Sequence, residues 1–275
     1  MNGARRAEKV RFTKEKETNL ITLYGRAVQS RSARPVLRDS WAEEAIGRID
    51  YDFAKLKVGK TAGALFALRA RQLDAWTAEF LAKHPDAVVL HLGCGLDSRA
   101  FRIAPGPGTL WFDVDYPDVI EVRRSLYPER PGYRMIGSSL SELGWLREIP
   151  KDRPAWIVAE GVTMYLTEGT VKALLNALAD HFPGGGMAFD AHTPQMVEWF
   201  RKKNKDVRGT GATFHWGLEK PDDIRRLEPR LRAIEERRAD RLEAYSSMPW
   251  NLRLLVRALS AFPAMRMMRC LLYRF

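Results

Sequence analysis

The segment Val88-Val89-Leu90-His91-Leu92-Gly93-Cys94-Gly95-Leu96-Asp97-Ser98-Arg99 restricts the fold of this 275-residue chain more than any other. A strand-like run, apolar except for His91, enters a Gly-x-Gly turn and continues into a helix-compatible stretch. That order is how a buried parallel strand hands a nucleotide-type ligand to a backbone turn. Glycine serves there because a chain without Cβ can approach a ligand closely and take dihedrals that other residues resist. About twenty residues further on, Leu110-Trp111-Phe112-Asp113-Val114-Asp115 reads as a second strand ending in a carboxylate, placed to accept hydrogen bonds from a ribose diol. Two neighbouring strands then hold one nucleoside.

The pattern after the turn alternates. A helix starts near Ser98, and the second strand covers 109–114. A helix over 117–127 carries Pro117 in its first turn. A strand over 133–136 ends at Gly137-Ser138-Ser139-Leu140, and one over 156–159 ends at Glu160-Gly161. Thr167 caps a helix to His181 with Val171, Leu174, Leu175 and Leu178 on one face, and Pro183-Gly184-Gly185-Gly186 stops it before a strand over 187–190. A helix over 221–227, a strand over 231–237, a helix over 250–259 and a terminal strand over 270–275 complete the order. Strands separated by helices make βαβ units. The fold expected is therefore α/β, a doubly wound, mostly parallel seven-stranded sheet whose ligands lie outside the strand carboxyl ends.

Before the first strand the chain reads as helical: 18–30, then 39–56 with Asp39 or Ser40 as N-cap, then 64–82. These give an N-terminal helical cap over 1–85 on a core over 86–275 with substrate-lining insertions. In the third helix Leu65, Leu73, Trp76 and Phe80 fall within an arc of about 80°, with Arg69 in its middle and Arg71 and Asp74 on the other side. An arginine in that place reaches a buried anion or snorkels, because burying it unpaired costs several kcal/mol. The helix leads through His84-Pro85-Asp86 into the first strand, so the anion is the expected partner.

Composition excludes several classes. The charge of +11 sits at the ends: residues 1–34 carry nine Lys/Arg against three Glu, and 251–275 carry five Arg and no acid. A balanced middle without a basic aromatic stripe argues against nucleic acid as partner. The basic rim suits an acidic small molecule. The helix over 250–259, with Leu252, Leu255, Val256 and Leu259 beside Arg253 and Arg257, is expected to pack on the core with its basic side exposed. No apolar run approaches the ~18 residues of a membrane span and no leader pattern is present, so a cytoplasmic location away from membranes is expected. Cys94 and Cys270 read as reduced thiols rather than a disulfide or metal site.

A dinucleotide fingerprint would place a third glycine where Ser98 stands, which tilts away from NAD or FAD. A nucleoside without pyrophosphate fits better, and S-adenosylmethionine adds a zwitterionic amino-acid end and a cationic sulfur. Arg69 is a bidentate partner for that carboxylate, and Glu160 for the ammonium or sulfonium.

Leu92-Gly93-Cys94-Gly95-Leu96-Asp97-Ser98-Arg99, the segment Phe112-Asp113-Val114-Asp115-Tyr116-Pro117, and Ala159-Glu160-Gly161-Val162-Thr163-Met164-Tyr165-Leu166 together resemble the leucine carboxyl methyltransferase family, in its tetracenomycin-type polyketide carboxyl O-methyltransferase branch. Segments around Glu17-Thr18, Arg26-Ala27, Arg38-Asp39 and Asp50-Tyr51-Asp52-Phe53, with the terminal Tyr273-Arg274-Phe275, resemble the same branch. The resemblance implies a class I S-adenosylmethionine-dependent O-methyltransferase. By match, Arg69 corresponds to the arginine for the cofactor carboxylate, and Gly93, with Cys94 and Gly95, to the glycine loop. Asp115 corresponds to the ribose acid, with Asp113 as runner-up; Ser139-Leu140 to the pair flanking adenine, though many members carry Asp at the Ser139 position; and Glu160 to the acid of the fourth-strand motif. Lys16 is a loose match for an N-terminal lysine.

Methyl transfer from sulfonium to oxygen needs alignment and a dry site more than a base. A carboxylate acceptor needs none; a phenol benefits from one, for which His192 and His215 are candidates. Tyr24 and Tyr165, with the same histidines, are expected to line the acceptor pocket. An NAD-dependent oxidoreductase and a catalytically silent cofactor-binding protein are the competing expectations.

Overall fold

The computed structural model describes residues 18–56, 58–203, 213–261 and 269–275. Three helices precede the sheet: α1 (Thr18–Ser30), α2 (Ser40–Arg48) and α3 (Lys60–Lys83). Strands β1 (Val88–Leu92), β2 (Leu110–Asp115), β3 (Tyr133–Gly137), β4 (Ala155–Ala159) and β5 (Gly185–Ala191) alternate with α4 (Arg99–Ile103), α5 (Pro117–Leu126) and α6 (Glu168–His181). After β5 come α7 (Pro194–Lys203), β6 (Arg232–Arg238), α8 (Trp250–Ala261) and β7 (Arg269–Arg274).

The sheet order is β3-β2-β1-β4-β5-β7-β6, parallel from β3 to β5, with β7 antiparallel to both its neighbours. The order reverses between β1 and β4, which is where an open α/β sheet leaves a crevice at its carboxyl edge. β1 and β4 are buried along their whole length, as a strand covered on both faces requires, whereas edge strand β6 alternates in exposure. One apolar cluster joins Leu23, Leu68, Leu73 and Val89 with Val119 and Val256; the other joins Leu90, Ile157 and Met187 with Leu174 and Leu178. The sheet therefore has a core on each face, and α1–α3 share the first of them.

α1 and α3 cross where Gly25 meets Gly63: a Cβ on Gly63 would lie 3.1 Å from the Gly25 carbonyl oxygen. This close approach brings the following turns of both helices, with Arg26 and Arg69, toward the strand ends.

Three sequence expectations change. The helix expected over 39–56 ends at Arg48, because the β-branched Ile49 is extended (φ −94°, ψ 124°); only a 3-10 turn, Phe53–Leu56, follows. Gly185 and Gly186 belong to β5 rather than to the preceding turn, and a Cβ at Gly185 would sit 2.0 Å from the Ala155 carbonyl oxygen on β4. On α8, the exposed side is apolar as well as basic: Trp250, Leu254 and Leu255 are open to solvent while Val256 is buried. Helix α7, absent from the expected order, begins where the Thr193 hydroxyl accepts from the Met196 N–H at 3.3 Å and Pro194 takes the first helical position. Among the described residues no helix is long and apolar enough to cross a membrane.

Candidate active site at the strand carboxyl ends

The ends of β1, β2, β3 and β4 open onto a cavity of about 280 Å³. Gly93, Cys94 and Gly95 form the turn beneath it, and Asp115, Ser139, Leu140 and Glu160 line its sides. The turn is held by the Gly93 N–H, which donates to the Val114 carbonyl at 2.8 Å. Gly93 adopts φ +59°, and a Cβ there would come within 2.1 Å of Val162 Cγ2. No other residue fits both demands. At the third glycine position of a dinucleotide fingerprint, the Ser98 hydroxyl is fully buried and donates to Asp39 Oδ1 at 2.6 Å.

Asp115 joins the two nucleotide strands. Its Oδ2 accepts from the Gly95 N–H at 2.7 Å and its Oδ1 from the Tyr116 N–H at 2.8 Å. Burial raises its carboxyl above the ordinary value, against the pull of these two bonds. A desolvated carboxylate with a lone pair left on each oxygen gains from hydroxyl donors. A ribose diol fits that demand.

Asp113, two residues earlier on the same face of β2, lies deeper in the interior, outside the cavity and fully buried. Its oxygens accept from Trp111 Nε1 at 2.8 Å and the Tyr133 hydroxyl at 2.5 Å, contact His91 Nδ1 at 3.1 Å and pair with Arg123. This removes it as runner-up for the ribose. Although burial opposes ionisation, Arg123 and His91 push its carboxyl down to about 2. Folded-state depression means stability that is full above the unfolded value near 3.9 and lost as pH falls through about 2. Urea unfolding should therefore weaken from pH 4 to pH 2 by on the order of 2 kcal/mol more in wild type than in Asp113→Asn; identical pH dependence in the two would refute the assignment.

At the other end of the cavity Arg69 is 8% exposed. It does not snorkel: Nε donates to Glu160 Oε1 at 3.0 Å and a terminal nitrogen to Asp190 Oδ2 at 2.8 Å. Burial works against its charge, yet Asp190 and Glu160 hold the guanidinium above the ordinary arginine range. Glu160 in turn is held below the usual carboxylate range by Arg69 and Arg99, against its burial. Arg99 also donates from Nε to Asp74 at 2.7 Å, and Arg102 reaches Asp74, Asp39 and Asp97 at 2.6, 2.8 and 3.0 Å. Asp74, expected on the outer side of α3, is thus buried; two arginines from the short helix after the glycine turn draw it in.

Tyr165 and His215 line the cavity, with Thr213 beside them. Residues 213–216 alternate exposed and buried: Phe214 and Trp216 anchor in the interior while Thr213 and His215 face outward, and the His215 N–H donates to the Met164 carbonyl at 2.7 Å. Tyr165 meets Phe214 edge-on at 5.0 Å. His192 is not at the cavity; its ring packs against Phe200 and Phe214 at 5.3 and 5.8 Å, which corrects its placing as base or acceptor residue. Tyr24 is also elsewhere, stacked on Phe53 at 5.4 Å. It follows Thr22 by about 200° around α1, so it turns away from the cavity. Lys16 lies outside the described residues.

Sequence reading missed the contribution of α1. Thr18, Thr22 and Arg26 recur every fourth residue and line one wall together with Asn19. The spacing was visible, but three polar residues on a helix look like a solvated face until the helix is docked. Asp97, inside the glycine segment itself, also lines the cavity.

The family model for leucine carboxyl methyltransferase matches residues 19–133. The chain is 48% identical over 229 residues to the tetracenomycin polyketide synthesis O-methyltransferase of Streptomyces glaucescens, covering 83% of this chain and 84% of that protein. It is 36% identical over 249 residues to an S-adenosyl-L-methionine-dependent methyltransferase of Gibberella zeae, covering 82% and 83%. A solved structure from Thermobifida fusca YX, described as a candidate methyltransferase, shares the fold with a TM-score of 0.58 at 16% identity, covering 85% of this chain and 92% of that one. A glycine turn beside a ribose-type carboxylate, joined to similarity of that extent, places this chain in the leucine carboxyl methyltransferase family of S-adenosyl-L-methionine-dependent methyltransferases.

Proposed function

We propose that the cavity binds S-adenosyl-L-methionine and that the chain transfers its methyl group to an oxygen of a small acidic or phenolic acceptor. The observation that carries the reading is Asp115: a desolvated carboxylate, tied to the glycine turn, facing the cavity from the adjoining strand. When bound, the cofactor supplies a methyl group on a cationic sulfur that an oxygen displaces in line. The chain's residues do the rest. Asp115 accepts from the ribose, and Ser139 and Leu140 flank the base. Glu160, kept ionised by Arg69 and Arg99, favours a cationic centre beside it. Tyr165, Thr213 and His215 form the acceptor wall, where a hydroxyl or imidazole orients the incoming oxygen. The 48% identity to a polyketide synthesis O-methyltransferase supports a polyketide-like acceptor.

Calorimetric titration of S-adenosylmethionine and S-adenosylhomocysteine tests this. Wild type should bind both with Kd near micromolar, about −8 kcal/mol. Asp115→Ala should weaken both by about 10- to 100-fold, the range for hydrogen bonds to a charged group. Labelled methyl from the same cofactor should appear on members of a panel of aromatic carboxylic acids and phenols. Absence of binding in wild type would overturn the reading.

A further inference from the structure

Helix α8 is apolar on more of its circumference than the fold uses. Leu252 and Val256 pack on the first apolar cluster, and the Tyr245 hydroxyl donates to the Arg253 carbonyl at 2.6 Å, so the helix is docked along one stripe. The opposite stripe is open: Trp250 is 69% exposed, Leu254 59% and Leu255 44%. Of the five large apolar side chains exposed among the described residues, these three share one 12-residue helix, whereas Trp199 and Ile234 lie on separate elements. Single exposed apolar residues need no explanation, but a cluster on one element does. Around the helix axis Arg257 stands about 20° from Trp250, and Arg253 about 60° on the same side. Neither arginine meets a carboxylate among the described residues. The acids nearest in sequence, Asp240 and Glu243, lie 3.9 Å from Arg238 and Arg71, and no acid occurs from Trp250 to Phe275.

We propose that α8 is a peripheral docking face for an anionic lipid surface: Trp250, Leu254 and Leu255 enter the interfacial layer, and Arg253 and Arg257 meet the headgroup phosphates. Apolar side chains flanked by cations on one helix are the pattern that lies in a membrane interface without spanning it. An anionic leaflet attracts each arginine through its field, so a convex stripe suffices and no fitted groove is required. One occupant thus accounts for both the open apolar stripe and the two arginines without carboxylates. Other occupants fit less well. A second copy of this chain would set arginine against arginine with no acid between them, and one stripe of a helix ~18 Å long falls short of the roughly 800 Å² per partner that a stable dimer buries. Residues 1–17 carry six Lys/Arg against three Glu, the same sign as α8. The inference revises the expectation of a location away from membranes. It stands apart from the methyl-transfer reading, since α8 contributes no residue to the cavity.

Co-sedimentation of the full chain with lipid vesicles tests this. Wild type should pellet with vesicles of equal parts phosphatidylcholine and phosphatidylglycerol and stay in the supernatant with phosphatidylcholine alone. Leu254→Ser should weaken binding to the anionic vesicles about tenfold and Arg257→Gln about fivefold. Because the chain as a whole is basic, Arg147→Gln, at an exposed arginine on another element, is the control and should bind within about twofold of wild type. Lipids with a nitroxide on the upper acyl chain should quench tryptophan emission in wild type and in Trp199→Phe, and the quenching should vanish in Trp250→Phe. The substituted side chains are all at least partly open to solvent, and urea unfolding unchanged from wild type checks that each variant folds. Failure of wild type to pellet, unchanged binding in Leu254→Ser, or an equal loss in Arg147→Gln and Arg257→Gln would each overturn the inference, the last by showing attraction to net charge alone. Self-association that Leu254→Ser abolishes, without vesicle binding, would overturn it in favour of a second copy of the chain.

Discussion

Replacing Arg99 by alanine is expected to lower the free energy of unfolding by about 3–5 kcal/mol, the range for breaking a buried ion pair from one side. Arg99 has no exposed surface and serves Asp74, Asp97 and Glu160 at once. Its removal leaves Glu160 with Arg69 as its remaining partner and Asp74 with Arg102. Burial then works against ionisation of Glu160 with one cation fewer to resist it. Urea unfolding at pH 7 measures the change. A loss under about 1 kcal/mol, the surface-pair range, would show that the network behaves as if solvated. Arg99→Lys should recover only part of the loss, since one ammonium cannot span three carboxylates held by a planar fork.

Gly93→Ala is expected to reduce S-adenosylhomocysteine affinity by about a hundredfold. The left-handed conformation costs an L-residue roughly 1–2 kcal/mol, and relieving a contact of 2.1 Å with Val162 costs a further 1–3. Val162 branches at Cβ and cannot swing clear, so the turn and the 3-10 segment after β4 must separate, and the floor of the cavity with them. Gly106→Ala is the control: it is exposed, and its Cβ would meet nothing within 4 Å. Calorimetry on the two variants separates them; wild-type affinity in Gly93→Ala would mean that the turn is not the cavity's fixed floor.

The histidines and tyrosines show where local reading stops. His192 follows β5 and His215 lies far along the chain, and both looked equally suited to an acceptor. Only the path of residues 213–218 separates them, because Phe214 anchors against the His192 ring while His215 emerges at the cavity. Asp113 and Asp115 divided more simply: alternation along β2 puts them on the same face, but Asp115, at the strand end, reaches the glycine turn, whereas Asp113 is buried deeper and claimed by Arg123.

Order and type of the elements were legible because periodicity is a local property. Alternation, caps such as Asp39 and Thr167, and the glycine turn each act over a few residues, and from them the α/β class, seven strands and the nucleoside site followed. Which charges meet was not legible. Arg26, Arg69, Arg99 and Arg102 find Asp39, Asp74, Asp97, Glu160 and Asp190 across separations of up to 121 residues, and no pattern in the chain pairs one arginine with one carboxylate. That choice belongs to the packing of α1–α4 on the sheet, which excludes water from the crevice and leaves each buried charge only the partners within reach.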